Sequence, residues 1–421
     1  TTNAVASDLS THANLVGSET LNLSGTGTIA SKNVGSNKTV SVGTLALADG
    51  SNGGLAANYT LSGGTHQLTV NQRPLNATLA RQYDGTTTAA GSTLSSFDAL
   101  QGGETLTMTG SGTAASANVA NGIAMSSNGT LALADGTGLA SNYSLNSTVI
   151  NIAQRVLNSS GSKTYDANTD ALAGAITLSN LVSGEALNHS GTATISSANA
   201  GSYTITNLSG ISIADGSGGT ASNYTLTGGT HNFTVNPKVV SIQGNKTYDG
   251  NTTISSGNIS SVVGTVGTQT LVISGGSGTV LSANAAIYGS GGINEGTLTL
   301  GNGTNGGLAS NYTLTGHAAS SFQVLQRVLS SSGSHIYNGS TTASSSDLTL
   351  SNLVGSETLT LSGNGTLANA NVGTNKSVTL NTLSIADGTN GGLAANYNLI
   401  GGTHQLTVTR RVVNATGTRL Y

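Results

Sequence analysis

The sequence contains no cysteine and no tryptophan, only two prolines and three phenylalanines, and 7% charged residues against roughly a quarter in ordinary soluble domains. Without cysteine no disulfide can brace the chain, so stability must come from packing, hydrogen bonds and contacts between units. The net charge of −3 over 421 residues leaves no basic stripe for nucleic acid and no polybasic patch for anionic lipid. No apolar run approaches the roughly 20 residues of a membrane-spanning helix. Disordered chains combine high net charge with an absence of apolar pattern; here the charge is low and apolar residues alternate regularly, which argues for an ordered fold.

The markers of catalysis are equally sparse. Serines are abundant, but no Gly-x-Ser-x-Gly elbow occurs, and the glycine run Gly289-Ser290-Gly291-Gly292 lacks the Lys-Ser/Thr of a phosphate loop. Acids such as Glu19, Asp49 and Asp84 lie far apart, and without tryptophan no aromatic-lined sugar groove is evident. His66, His231 and His404 recur before a strand, with no further His or Cys nearby to complete a zinc site, and read as exposed strand residues; His317 is displaced from that position. No enzymatic activity and no cofactor are expected. Calcium at repeat junctions is the one metal expectation left open, although no Asp-x-Asp-x-Asp loop is present.

What the chain does have is a phrase that returns. Lys246-Thr247-Tyr248-Asp249-Gly250 reappears around Tyr83-Asp84, Tyr165-Asp166 and Tyr337-Asn338, and a last tyrosine stands at Tyr421. A second marker keeps the same period: Asn58-Tyr59, Asn142-Tyr143, Asn223-Tyr224, Asn311-Tyr312 and Asn396-Tyr397. The chain is therefore a tandem array. The units run 1–71 (lacking its first strand), 72–153, 154–235, 236–325 and 326–409, with 410–421 as the start of a sixth. Residues 15–83 match 353–421 without a gap, and the fourth unit is the longest.

Within a unit, short period-two runs such as Thr20-Leu21-Asn22-Leu23 and Gln67-Leu68-Thr69-Val70 read as strands, and Ala-Asp-Gly phrases such as Ala48-Asp49-Gly50 read as turns. No helical stripe with caps is found. The expected fold is all-β: a tandem array of five small β-sandwich-like repeats of about 84 residues in an elongated row. Spacing alone leaves an immunoglobulin-like sandwich and a β-grasp-like sheet both open.

The Tyr-Asp-Gly phrase, Gly17-Ser18-Glu19-Thr20-Leu21, the Ala-Asp-Gly turn and Ala57-Asn58-Tyr59-Thr60-Leu61 recur in order. Together they resemble the YDG and MBG repeats of large bacterial exoproteins, including adhesins similar to filamentous haemagglutinin. The resemblance implies an extracellular, cell-surface or matrix setting and β-rich modules without catalysis. It departs at Ala167, Asn338 and Gly301-Asn302-Gly303.

Two recurrent constellations carry the expectations about sites. Two residues before each motif tyrosine stands Arg81, Lys163, Lys246, His335 or Arg419. Residues i and i−2 of a strand share a face, so this cation is placed beside the ring or against an acid on a neighbouring strand. Its variation argues against a Lys-Asn isopeptide bond. The Asn-Tyr pairs fit a glycosylation acceptor in four units, but Asn396-Tyr397-Asn398 breaks the pattern. The preferred reading is an Asn that bonds its local turn and a Tyr that anchors the core. The expected role is thus that of a structural fibre segment whose partners are copies of itself or adjoining repeats, pairing strands between chains. An adhesive module for glycans or cell-surface proteins is the alternative.

Overall fold

Strand Arg73–Gln82 shows how the sequence pattern becomes structure. Leu75, Ala77 and Leu79 point inward and are fully buried while the residues between them face outward, and Ile150 and Ile152 do the same on Tyr143–Ala153. Alternation of this kind buries one face of a pleated sheet and leaves the other to Thr, Ser and Asn. The computed structural model describes residues 1–9, 12–315 and 319–421. His317 lies outside the described residues. The protein is all-β, and its only helical pieces among the described residues are three-residue 3-10 turns.

Contacts group the chain into two compact units. One comprises residues 1–160, 177–191 and 209–231, the other 161–176, 192–208 and 232–421. In the first, the second repeat forms a six-stranded sheet ordered Thr88–Ala90, Ser111–Ala114, Ala120–Ser127, Tyr143–Ala153, Arg73–Gln82, Leu94–Phe97. The opening and closing strands of that repeat lie side by side and parallel in the middle, from Tyr143 opposite Arg73 to Ala153 opposite Gln82. Leu106–Thr109 and Ala132–Asp135 pair separately. In the second unit the fifth repeat repeats this plan, with Ser330–Ile336 parallel to His404–Thr409 at the centre. The central parallel pair departs from the wholly antiparallel immunoglobulin-like sandwich, one of the two topologies that spacing left open.

Among the described residues the first repeat shows four strands of the same plan. Its sheet runs Asn3–Val5, Thr26–Ile29, Gly35–Ser41, Gln67–Val70, with the closing strand Gln67–Val70 last in the order among the described residues. The fourth repeat is modified: where the fifth has one strand, Gly373–Thr379, the fourth has Ala286–Tyr288 and Ile293–Asn294, separated by the 3-10 turn Ser290–Gly292.

The Tyr-Asp-Gly turn needs a left-handed residue in third place, which Gly85, Gly250 and Gly339 supply at φ of 77–79°. The third repeat puts Ala167 there at φ 65°, a conformation that costs a residue with a Cβ about 1–2 kcal/mol. Replacement Ala167→Gly is therefore expected to stabilise the turn by roughly 1 kcal/mol, less the entropy of the added glycine. Amide exchange across residues 165–170 reads this directly. Unchanged or faster exchange in the variant would show that the alanine is not strained.

Candidate functional site

The Tyr-Asp-Gly turns are each tied from within. Asp84, Asp166, Asp249 and Asn338 accept a hydrogen bond from the backbone N–H two residues on, forming an Asx turn. The basic residue at minus two closes the same loop. Lys246 Nζ lies 2.9 Å from Asp249, 3.0 Å from Asn251 Oδ1, and 2.6 and 3.0 Å from the carbonyls of Asn251 and Thr253. Lys163 pairs with Asp166 at 2.9 Å, and Arg81 bonds both Asp84 and the Thr86 carbonyl. Burial alone would raise the Asp166 and Asp249 carboxyls, but the lysine and Asn N–H bonds outweigh it and hold both below the usual carboxylate range. In the fifth repeat Asn338 offers no charge, and His335 faces Asp347 Oδ2 at 3.1 Å instead. The cation thus pairs mostly with the acid of its own motif, because the turn folds the chain back within three residues; neither the ring nor an acid on a neighbouring strand is its partner in those repeats.

The tyrosine of this turn does not stay in its own repeat. Tyr83 packs edge-on against Tyr224 of the next repeat, with centroids 5.4 Å apart, and Tyr165–Tyr312 and Tyr248–Tyr397 repeat the contact at 5.3 Å. One carboxylate receives both phenols: Tyr83 and Tyr224 hydroxyls donate to the two oxygens of Glu185, each at 2.6 Å. Tyr248 and Tyr397 donate to Glu357 at 2.7 and 2.6 Å. At the third-to-fourth junction Gln269 stands in for the acid, accepting from Tyr312 and donating to Tyr165 at 2.9 Å. Each second tyrosine also receives a backbone N–H, from Val182, Val266 or Val354, at 3.0 Å. Tyr143 makes the same bond to Glu104, at 2.6 Å, but there Lys32 of the first repeat takes the other oxygen at 2.7 Å. Tyr59 bonds Glu19 with no tyrosine opposite it, and Tyr337 is 39% exposed.

The asparagine of Asn-Tyr is a second clamp, and it bonds the preceding repeat rather than its own turn. Asn142, Asn223, Asn311 and Asn396 accept from the backbone N–H of Val34, Val119, Ala200 and Ala285 at 2.8–2.9 Å. Each donates its amide to the side chain of Asn33, Asn118, Asn199 or Asn284. Asn223, Asn311 and Asn396 are at most 1% exposed, so their amides are not open to a glycan. Asn58 is exposed.

Two further features escape the sequence pattern. His231 and His404 are buried rather than exposed: each faces a Leu carbonyl through Nε2 at 2.8 Å and a serine of the opening strand, Ser159 or Ser331, through Nδ1 at 2.9 Å. Half-buried His66 keeps the carbonyl bond, to Leu61. The boundary arginines Arg155 and Arg327 bond Asn180 and Asn352, and reach back to the carbonyls of Tyr83 and Tyr248. Asn180 and Asn352 hold left-handed backbones at φ 67° and 73°. A doublet of basic residue and boundary was visible in the sequence; its asparagine partner, 25 residues on, carried no signal of its own.

Among the described residues no three His, Asp or Glu side chains converge as metal ligands. A cavity of about 150 Å³ beside Lys163, Asp166 and Phe233 is lined partly by the side chains already paired in the turn. No helix among the described residues is long and apolar enough to cross a membrane.

Burial, then the bond to the shared carboxylate, pushes the hydroxyls of Tyr224, Tyr248 and Tyr397 from 10 up to about 12. Because the folded value is raised, the stabilisation is complete below pH 10 and disappears as pH rises through about 12. Junctions are therefore expected to open over that window, read as tyrosinate absorbance appearing together with loss of amide protection. Glu185→Gln should bring the Tyr83 and Tyr224 titration to lower pH. Tyrosinate forming near pH 10 at intact junctions would contradict the assignment.

The repeats match the family model described as the YDG domain over residues 1–67, 65–150, 153–232 and 325–406. The fourth repeat, with its divided strand, falls between the last two spans. No curated protein matches the chain. The matched spans cover most of the sequence, and each ends within a closing strand that begins on or follows an Asn-Tyr pair. On that basis the chain belongs to the YDG domain family.

Proposed function

We propose that the chain is a structural segment of a secreted bacterial surface or matrix fibre, resembling the repeat regions of haemagglutinin-like exoproteins. The observation that carries this reading is the junction: consecutive repeats meet without a linker, a two-bond asparagine clamp crosses each internal junction, and paired buried tyrosines share Glu185, Gln269 or Glu357 at the last three. In this reading the polar groups that could do chemistry are spent on holding neighbours in a fixed relation. An array of marginal units gains stiffness when each interface is worth a sizeable fraction of a unit's own stability. A charge-poor surface rich in Thr and Ser suits an exposed polymer, since little of its stability is screened by salt.

Asn223→Ala and Asn396→Ala remove the clamp and leave a backbone N–H unpaired at each junction, at a cost of about 1–3 kcal/mol apiece. Electron microscopy of single chains is expected to show a narrow spread of end-to-end distances for the wild type and a broad one for the double variant. Wild-type chains that bend freely at every junction would overturn the structural reading.

A further inference from the structure

Eight asparagines of the chain are followed by glycine. In that pair the asparagine side chain is most open to attack by the next backbone nitrogen, because glycine has no Cβ to obstruct the approach. The fold restrains seven of the eight. Asn52, Asn305 and Asn390 hold left-handed backbones at φ 54–56°, and each ties its amide nitrogen to a carbonyl, of Ser18, Thr268 or Ser356, at 2.9–3.0 Å. At Asn121, Asn128 and Asn302 the glycine N–H is the group held: Gly122 donates to Asn151 Oδ1 at 2.8 Å, Gly129 to Ser127 Oγ at 3.1 Å, and Gly303 to the Gly307 carbonyl at 2.9 Å. Asn364 lies in the strand Asn364–Leu367, with Gly365 buried beside it.

Asn338 is the exception. It stands in the turn of the fifth repeat where the second, third and fourth repeats have Asp84, Asp166 and Asp249. Its Oδ1 accepts from the Ser340 N–H at 2.9 Å, so the side chain is folded over the peptide that joins it to Gly339. Neither its Nδ2 nor the Gly339 N–H has a hydrogen bond among the described residues. Both residues are exposed, and a Cβ on Gly339 would meet nothing within 4 Å. The nitrogen that would attack and the nitrogen that would leave are both free, and the carbonyl between them is polarised.

We propose that Asn338 is a self-modifying site that converts to aspartate in the folded chain. The Gly339 backbone nitrogen bonds to Asn338 Cγ as its proton passes to water, and the charge that builds on Oδ1 is met by the Ser340 N–H. The Cγ–Nδ2 bond then breaks and Nδ2 leaves as ammonia, protonated by solvent, which closes a five-membered succinimide. One water opens the ring. Addition at Cγ restores the normal backbone and leaves an aspartate, whereas addition at the main-chain carbonyl leaves isoaspartate. The Ser340 N–H favours the first outcome, because it polarises Cγ and not the main-chain carbon. The product is the residue that this turn holds elsewhere: Asp84, Asp166 and Asp249 accept the same N–H two residues on, and a carboxylate is the stronger acceptor. Lys163 and Lys246 meet that acid at 2.9 Å. In the fifth repeat their position belongs to His335, which faces Asp347 through Nδ1 and whose buried Nε2 has no partner. Conversion thus supplies the fifth repeat with the motif acid that the three preceding repeats carry from synthesis.

Peptide mapping by mass spectrometry tests this, with the 421-residue chain incubated at mildly alkaline pH in native buffer and, in parallel, in denaturant. In denaturant all eight pairs are expected to convert at comparable rates, since only local sequence acts there. In native buffer Asn338 is expected to convert about tenfold faster than any of the other seven, a difference of about 1.4 kcal/mol in barrier, and to give aspartate as the main product. Ser340→Pro deletes the N–H and should slow Asn338 towards the others. Ser340→Ala keeps the N–H, loses only the hydroxyl that accepts from Thr342, and should leave the rate unchanged. Native conversion at Asn338 no faster than at Asn52 or Asn390, isoaspartate as the main product, or equal slowing by the two Ser340 variants would overturn the proposal.

Discussion

A carboxylate shared by two buried phenols is the interaction on which the arrangement of repeats depends. A half-buried acid needs its oxygens satisfied, and Glu185 and Glu357 find one hydroxyl from each of two consecutive repeats. Neither repeat alone completes the set. The buried, edge-on rings lie beside a half-buried acid, so the hydrogen bonds form where water is partly displaced and leaving one unmade carries a cost. Around Tyr83 and Tyr224 the apolar core of the second repeat continues without a break into Leu157 and Leu226 of the third. The junction is part of a core, not a contact between two finished surfaces.

The asparagine clamp works on a different principle. It places no charge and little apolar area at the interface, but it grips the preceding loop twice, accepting from a backbone N–H and donating to an asparagine side chain. Such a pair fixes orientation, because both bonds are lost if the loop turns. The tyrosine cluster supplies burial and the asparagine supplies angle. Where Gln269 replaces glutamate, the clamp at Asn311 is retained with the same partners, so the two devices tolerate change independently.

Much of this was legible beforehand, and the illegible part has a common cause. Strands, turns and period follow from alternation and from Asp-Gly chemistry, which are local. Partner choice in a periodic chain is not: a tyrosine can meet the second marker of its own repeat or of a neighbour, and translation by one period leaves the sequence pattern unchanged. That is why Asn223 reads as a turn residue although it grips Val119, and why Tyr224 reads as an internal anchor although Tyr83 lies across from it. His231 and His404 were misread for another reason. A polar residue in a strand has two faces to choose from, and Ser159 and Ser331, the partners that make the inner face acceptable, stand more than 70 residues earlier in the chain.

The central parallel pair has a mechanical consequence. In the second repeat the chain enters along Arg73–Gln82 and leaves along Tyr143–Ala153, two neighbouring strands that point the same way. A pull on the two ends of the repeat therefore drags these strands lengthwise past each other. Their backbone bonds lie across that direction and share the load together, whereas a hairpin pulled at its open end breaks its bonds one after another. Resistance to tension then scales with the length of the paired register, and lengthening that one pair by a few residues would toughen a repeat without altering its core.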